Sequence, residues 1–225
     1  MGRVIVKKET TKNPLQVMGE MAGICWNAPT DDKDKNIKRA LDCIESGHGR
    51  VSEFPQIYIV LDGYSARVIR EFYTHIGGGP TRLQASTRYI QYGYFDYITP
   101  PSIAKDPEAM HTYQQCMNDI SYAYTVLEEL GLPKEDIANL LPLGMETKVV
   151  VRTNLRNYLD MVKVRKCNRA YWEIRNMFKD IDEALKNYSP EWKTIIEHYS
   201  KAKCEICGYC TETNSCGRYP KKKID

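Results

Sequence analysis

A chain of 225 residues and 26.0 kDa, 42% hydrophobic and 27% charged, can bury roughly 70% of the surface its unfolded form exposes, so it needs no staples to fold. Its formal charge of +3 and pI near 8.3 are too mild for binding a nucleic-acid polymer, which requires a concentrated basic patch, and the densest basic run, Lys221-Lys222-Lys223, reads as a solvated tail. Mean hydropathy is −0.52, no apolar run approaches the roughly 20 residues of a membrane helix, and the start, MGRVIVKKETTKNPLQ, lacks a secretory apolar stretch, which points to a cytoplasmic protein without a membrane partner.

In chain order, residues 36–46 read as an amphipathic helix: Ile37, Leu41 and Ile44 fall at i, i+4 and i+7, and Gly47 stops it. Pro55 opens a strand over 56–63, where Ile57 and Ile59 alternate with tyrosine. Residues 65–75 look helical and lead into the loop IGGGPTR, after which 83–92 (LQASTRYIQY) has strand-like alternation. Pro100 and Pro101 precede a long helix from about 107 to 130, and a short helix starts at Lys134. Residues 145–153 (METKVVVRT) predict a strand, 154–166 a helix N-capped by Thr153 or Asn154, and 169–186 another helix. No linker interrupts residues 1–200, so one α+β domain is expected, followed by a cysteine-rich tail over 201–225.

Three segments carry chemistry. Asn154 and Arg165 are 165 − 154 = 11 positions apart, three helical turns plus roughly 20°, so both are expected on one side, with Tyr158 and Met161 near that line. Leu155, Leu159 and Val162 form a neighbouring apolar stripe for the core. In a strand, Gln84, Ser86 and Arg88 share one face, an amide, a hydroxyl and a guanidinium suited to a phosphate and a sugar. Just upstream, Gly77-Gly78-Gly79-Pro80 makes a loop whose backbone N–H groups can approach an anion, though it matches neither nucleotide-loop consensus.

The third segment, KCEICGYCTETNSCGR, places Cys204, Cys207, Cys210 and Cys216 at C-x2-C-x2-C-x5-C spacing. Such thiolates can close a tetrahedral zinc site or hold an iron–sulfur cluster, or they are reduced thiols on a tail. Cys25, Cys43, Cys116 and Cys167 are scattered and read as buried apolar fillers. Of the histidines, His75 and His48 lie near the motifs below, while nothing distinguishes His111 or His198.

The ordered run LP-x4-T-x6-N-x-R-x8-R-x7-EIR is met by Leu141-Pro142, Thr147, Asn154, Arg156, Arg165 and Glu173-Ile174-Arg175, with Ala170 and Trp172. Upstream stand Ser86-Thr87-Arg88-Tyr89 and, earlier, Gly47-His48 with Ser52-Glu53. Together these resemble the conserved stretches of the flavin-dependent thymidylate synthases, over about residues 20–190. The resemblance implies an α+β fold with a small, mostly antiparallel sheet packed by long helices. It implies a homotetramer that methylates dUMP to dTMP with methylenetetrahydrofolate, bound FAD and NADPH. Arg165 would be catalytic, contacting the uracil ring; Glu71, Gln84, Ser86, Thr87 and Arg88 would join it in holding the substrate. Arg50, Thr74, His75, Ile76, Gln84, Asn154, Arg156 and Asp160 would line the flavin.

The chain departs from that pattern where the family has Arg-His-Arg. Here the place reads Thr74-His75-Ile76, and the loop after it is about two residues longer. Arg82 can restore one positive charge, and backbone groups of residues 77–79 can stand in for lost side chains. Ala138 stands where a nucleotide-binding arginine is common, Asp160 replaces a common asparagine, and Arg169 a common histidine. These departures leave two alternatives: a flavin enzyme that modifies another pyrimidine nucleotide, for example by hydroxymethylation, or a nucleotide-binding homologue without flavin chemistry.

Overall fold

The computed structural model describes residues 2–222; Lys223, the last lysine of the basic run, lies outside them. Strand β1 (Arg3–Val6) leads to helix α1 (Pro14–Cys25), which starts with proline, whose missing N–H would have had no helical partner there. Helix α2 (Lys33–Glu45) starts three residues before the expected 36, because the Asp32 carboxylate caps it, accepting from the Asp34 and Lys35 N–H groups at 3.0 and 3.1 Å. Its buried side is Asn36, Ala40 and Cys43, whereas Ile37, Leu41 and Ile44 are half-buried. Gly19 of α1 explains this shift: a Cβ there would lie 1.8 Å from the Asn36 carbonyl oxygen, and so close a crossing admits only small groups at its centre.

Strand β2 (Gln56–Ser65) buries Ile57, Ile59 and Leu61 in alternation, and Ser65 then caps helix α3 (Ala66–Phe72), its hydroxyl accepting from the Val68 N–H at 3.1 Å. Strand β3 (Thr81–Gln84) is shorter than the alternation over 83–92 predicts. Ala85 N–H still bonds the Lys148 carbonyl at 2.8 Å, but the Ser86 hydroxyl then accepts from the Arg88 N–H (3.2 Å) and the Ser86 carbonyl from the Ile90 N–H (3.1 Å). These local bonds replace the ladder with a turn. Next come α4 (Pro101–Ala104), α5 (Pro107–Glu129, capped by Asp106), α6 (Lys134–Ile137) and β4 (Glu146–Asn154). The chain continues through α7 (Leu155–Arg165), α8 (Trp172–Tyr188), α9 (Pro190–Tyr199) and α10 (Lys203–Cys207). Helix α8 begins at Trp172, not 169, because the chain turns first, with Ala170 N–H on the Cys167 carbonyl at 2.9 Å.

The strands form one four-stranded antiparallel sheet in the order β1-β2-β4-β3, and the fold is α+β as expected. The chain divides into two compact units, and each strand has residues in both. The first gathers Leu61–Tyr73 and Leu83–Val149 with the N-terminal end; its core holds Tyr92, Tyr124, Ile137 and Met145, packed by Ala66, Phe95, Leu127 and Leu141. The second gathers Val4–Val60, Thr74–Arg82 and the chain from Val150 onward, the cysteine-rich tail included. Leu15, Met18, Leu155, Val162, Phe178 and Trp192 are buried in it, and the Trp192 indole N–H donates to the Thr11 carbonyl at 2.8 Å. Of the scattered cysteines only Cys43 is a buried filler; Cys25 and Cys116 are exposed and Cys167 is half-buried. Among the described residues no helix is long and apolar enough to cross a membrane.

Candidate active site

In the second unit, Asn154 ends β4 and caps α7 from outside it, with an extended backbone and its Oδ1 accepting from the Asn157 N–H at 2.9 Å. The count of eleven helical positions to Arg165 therefore does not set its direction. Tyr158 and Met161, expected along a ligand-facing line, are buried with Leu155 and Val162 instead. Arg165 lies in the last turn of α7, where a cation complements the helix dipole. Its Nε donates to His75 Nε2 at 2.6 Å and its Nη2 to Thr74 Oγ1 at 2.9 Å. A guanidinium has no acceptor, so His75 Nε2 carries no proton here and the neutral ring is protonated at Nδ1. Burial first, and then the Arg165 and Arg82 charges, lower the His75 pKa from 6.5 to about 4. Arg82 also donates to the His75 carbonyl.

The glycine loop is tied to the same unit. Asn157 Nδ2 donates to the Gly78 carbonyl at 3.0 Å and Arg152 Nη2 to the Gly79 carbonyl at 3.3 Å. Gly78 has φ +70°, and a Cβ there would meet the Asn157 amide at 2.0 Å, so only glycine fits. Around Gly77 and Gly79 a Cβ would meet nothing within 4 Å, so that side of the loop is open space, while the Gly79 N–H donates to the Ile76 carbonyl at 3.4 Å. Arg82 and Arg152 stand beside this loop, each donating to a backbone carbonyl, where Thr74 and Ile76 take the places of arginines, and guanidinium groups next to backbone N–H groups are of a kind that suits a phosphate. Sequence reasoning missed Arg152 and Asn157. Arg152 was detectable as an outward position of β4, between buried Val151 and Thr153.

The other residues expected near flavin are more exposed. Arg156 pairs with Glu53 at 2.6 Å, Asp160 with Lys163 at 2.7 Å, and Arg50 is exposed on the 3-10 turn Gly49–Glu53. Ile76 is 81% exposed.

The first unit holds the other residues expected on the nucleotide, besides Arg165. Gln84 ends β3, exposed, its Nε2 at 3.4 Å from Thr147 Oγ1. Ser86 and Thr87 are half-buried in the following turn, so Gln84, Ser86 and Arg88 share no strand face. Arg88 is exposed; its Nε donates to Glu135 Oε2 at 2.8 Å and its guanidinium lies 5.9 Å from the Tyr89 ring centre. Glu71 is half-buried on α3, and Ala138 starts a 3-10 turn.

The tail cysteines sort differently from their spacing. A cavity of about 270 Å³ in the second unit is lined by Cys167, Cys204, Cys210 and Cys216 together with Arg165 and Arg218. Cys207 is not among them; its thiol donates to the Tyr209 carbonyl at 3.1 Å. Cys210 is buried, whereas Cys216 is exposed and accepts from Asn168 Nδ2 at 3.7 Å. The backbone N–H of Arg218 lowers the Cys216 pKa, and burial raises that of Cys204. Among the described residues no three His, Cys, Asp or Glu side chains are grouped to hold a metal ion, the four tail cysteines included.

Comparison with known proteins agrees with the motif reading. The family model described as "Thymidylate synthase complementing protein" matches residues 8–191. The chain is similar to a flavin-dependent thymidylate synthase of Nitratidesulfovibrio vulgaris, 32% identical over 84% of this chain and 79% of that protein. It is similar also to those of Clostridium tetani (26% identical, covering 99% and 96%) and Thermococcus onnurineus (29%, covering 90% and 86%). A family match over most of the chain, on top of an arginine–histidine pair and a glycine loop in one unit, leads to one conclusion: the chain belongs to the thymidylate synthase complementing protein family and is an enzyme of the flavin-dependent thymidylate synthase type.

Proposed function

We propose that this enzyme methylates dUMP to dTMP reductively, taking the carbon from methylenetetrahydrofolate, with FAD as the flavin and NADPH as its reductant. The observation that carries this reading is the Arg165 guanidinium held by Thr74 and His75 in one unit, beside the glycine loop that suits a flavin phosphate. Carbon transfer to C5 needs an electron-rich pyrimidine. A fixed guanidinium favours loss of the N3 proton by stabilising the anion that remains. When bound, the flavin supplies the hydride. The chain's own groups bind and orient: Ser86, Thr87 and Arg88 hold the nucleotide with Gln84 and Glu71, Arg88 serving the phosphate. Asn154, Arg156, Arg50 and Asp160 face the flavin with residues 74–76, joined by Arg82, Arg152 and the Gly77–Gly79 backbone.

We read the working form as a cytoplasmic homotetramer. Tyr89, Tyr94 and Tyr122 of the first unit, 78%, 94% and 72% exposed, are large apolar groups of the kind that subunit contacts cover. The test is direct. Purified protein should be yellow, should convert dUMP to dTMP with the folate and NADPH, and should let a thymidine-requiring bacterium grow. Colourless protein that never supports growth would refute the proposal. A flavin-bound protein making another pyrimidine product would move it to the hydroxymethylating alternative.

A further inference from the structure

The Arg165 guanidinium is met along one edge by two acceptors from a single dipeptide. Nε reaches His75 Nε2 at 2.6 Å and the adjoining Nη2 reaches Thr74 Oγ1 at 2.9 Å. The acceptors lie 90 and 91 residues from Arg165 in the chain, so the contact is purely tertiary. Two parallel bonds to adjoining nitrogens fix both the plane and the direction of a guanidinium, where one bond would leave it free to swing. We propose that Thr74 and His75 are positioning residues that cradle Arg165, so that the dipeptide in the Arg-His-Arg place serves the catalytic arginine. This deepens the function proposed above and rests on Arg165 acting on the pyrimidine.

The chemistry of the pair explains why threonine stands at 74. Its hydroxyl accepts, whereas an arginine at that place would have no acceptor and would set a second positive charge against Arg165. His75 serves only while neutral, because an imidazolium would donate from both nitrogens. The charged groups around its ring are Arg165 and Arg82, both cations, and they work with burial to keep it neutral through the physiological range. The Arg82 bond to the His75 carbonyl ties the dipeptide to the start of β3. The Asn157 and Arg152 bonds to Gly78 and Gly79 anchor the following loop.

The deciding experiment is imidazole ¹⁵N NMR on the full chain, independent of any reaction. His75 should carry its proton on Nδ1 and should stay neutral down to about pH 5. Arg165→Gln and Arg165→Ala, which both remove the charge, should each move its titration up from about 4, the two variants guarding against a fold defect in one. A His75 that titrates near 6.5 in the unaltered chain, or one indifferent to both variants, overturns the cradle. Kinetics supply the second arm. Thr74→Val and His75→Leu should each lower kcat per bound flavin about 10- to 100-fold, the range of a lost bond to a charged group. Thr74→Ser should recover most of what Thr74→Val loses, and Thr74→Arg should lose more than Thr74→Val. Equal effects of Thr74→Ser and Thr74→Val would overturn the role of the hydroxyl. The NMR signature in a protein that does not turn over dUMP upholds the cradle and removes only the substrate assignment.

Discussion

Each arginine expected to meet the substrate already has a partner in the chain. Arg88 donates through Nε to Glu135, with both side chains well exposed. In the proposed role of Arg88, a substrate phosphate would have to compete with a carboxylate for this guanidinium. Arg88→Ala should raise the KM for dUMP about 10- to 100-fold, since a hydrogen bond to a charged group contributes about 1.5–3 kcal/mol. Glu135→Gln should lower that KM in the same steady-state assay, because the competitor loses its charge. His75 makes a different prediction, for stability. Its folded pKa of about 4 lies below the ordinary 6.5, so as pH falls the unfolded chain binds the proton first. Stability contributed by the neutral ring is complete above about pH 6.5 and is lost progressively toward 4. Urea titrations across that range should show the decline, and His75→Gln should flatten it.

At the scale of elements, helix ends and loop anchors shape the site more than helix faces do. Asn154 terminates β4 and caps α7, and the next turn of α7 presents Asn157 to the glycine loop. The loop has no regular structure to hold it, so side-chain bonds to the Gly78 and Gly79 carbonyls define its course. Gly78→Ala combines a left-handed backbone, which costs a non-glycine residue about 1–2 kcal/mol, with a clash against Asn157. The loop should then lose its anchor, and flavin affinity should fall about tenfold or more in equilibrium dialysis while the melting temperature falls by only a few degrees. Retention of full flavin affinity would show that the loop does not touch the cofactor.

At the scale of the molecule, the second unit is held by a buried polar knot. Tyr158 Oη donates to Asp182 Oδ1 at 2.5 Å and Ser200 Oγ to the same oxygen at 2.7 Å, while Lys166 forms an ion pair with Asp182 and donates to the Ser200 carbonyl at 2.8 Å. It joins α7, α8 and the residue following α9. Burial first, then Asp182, raises the Tyr158 pKa well above the ordinary value, so the phenol remains a donor. Removing one member leaves a buried charge without its partner, so Asp182→Ala should cost about 3–5 kcal/mol in chemical denaturation. Because Arg165 sits one residue before Lys166, this knot also fixes the end of the helix that carries Arg165.

The sequence by itself determined the α+β class, the helices over α2, α5 and α7, the strand β4 and the ordered motif from Leu141 to Arg175, because each is written in local periodicity, capping residues and spacing. It was weakest where two signals compete locally. The alternation after Gln84 looked like strand until the Ser86 hydroxyl took a backbone bond and made a turn. Tertiary structure alone decided that Tyr158 and Met161 face the core, that Cys167 and not Cys207 joins the other thiols around one cavity, and that Thr74 and His75 hold Arg165. Periodicity shows only that a helix has an apolar side. Which residues meet across 90 positions depends on how the packed elements bring distant segments together, and no local pattern records that.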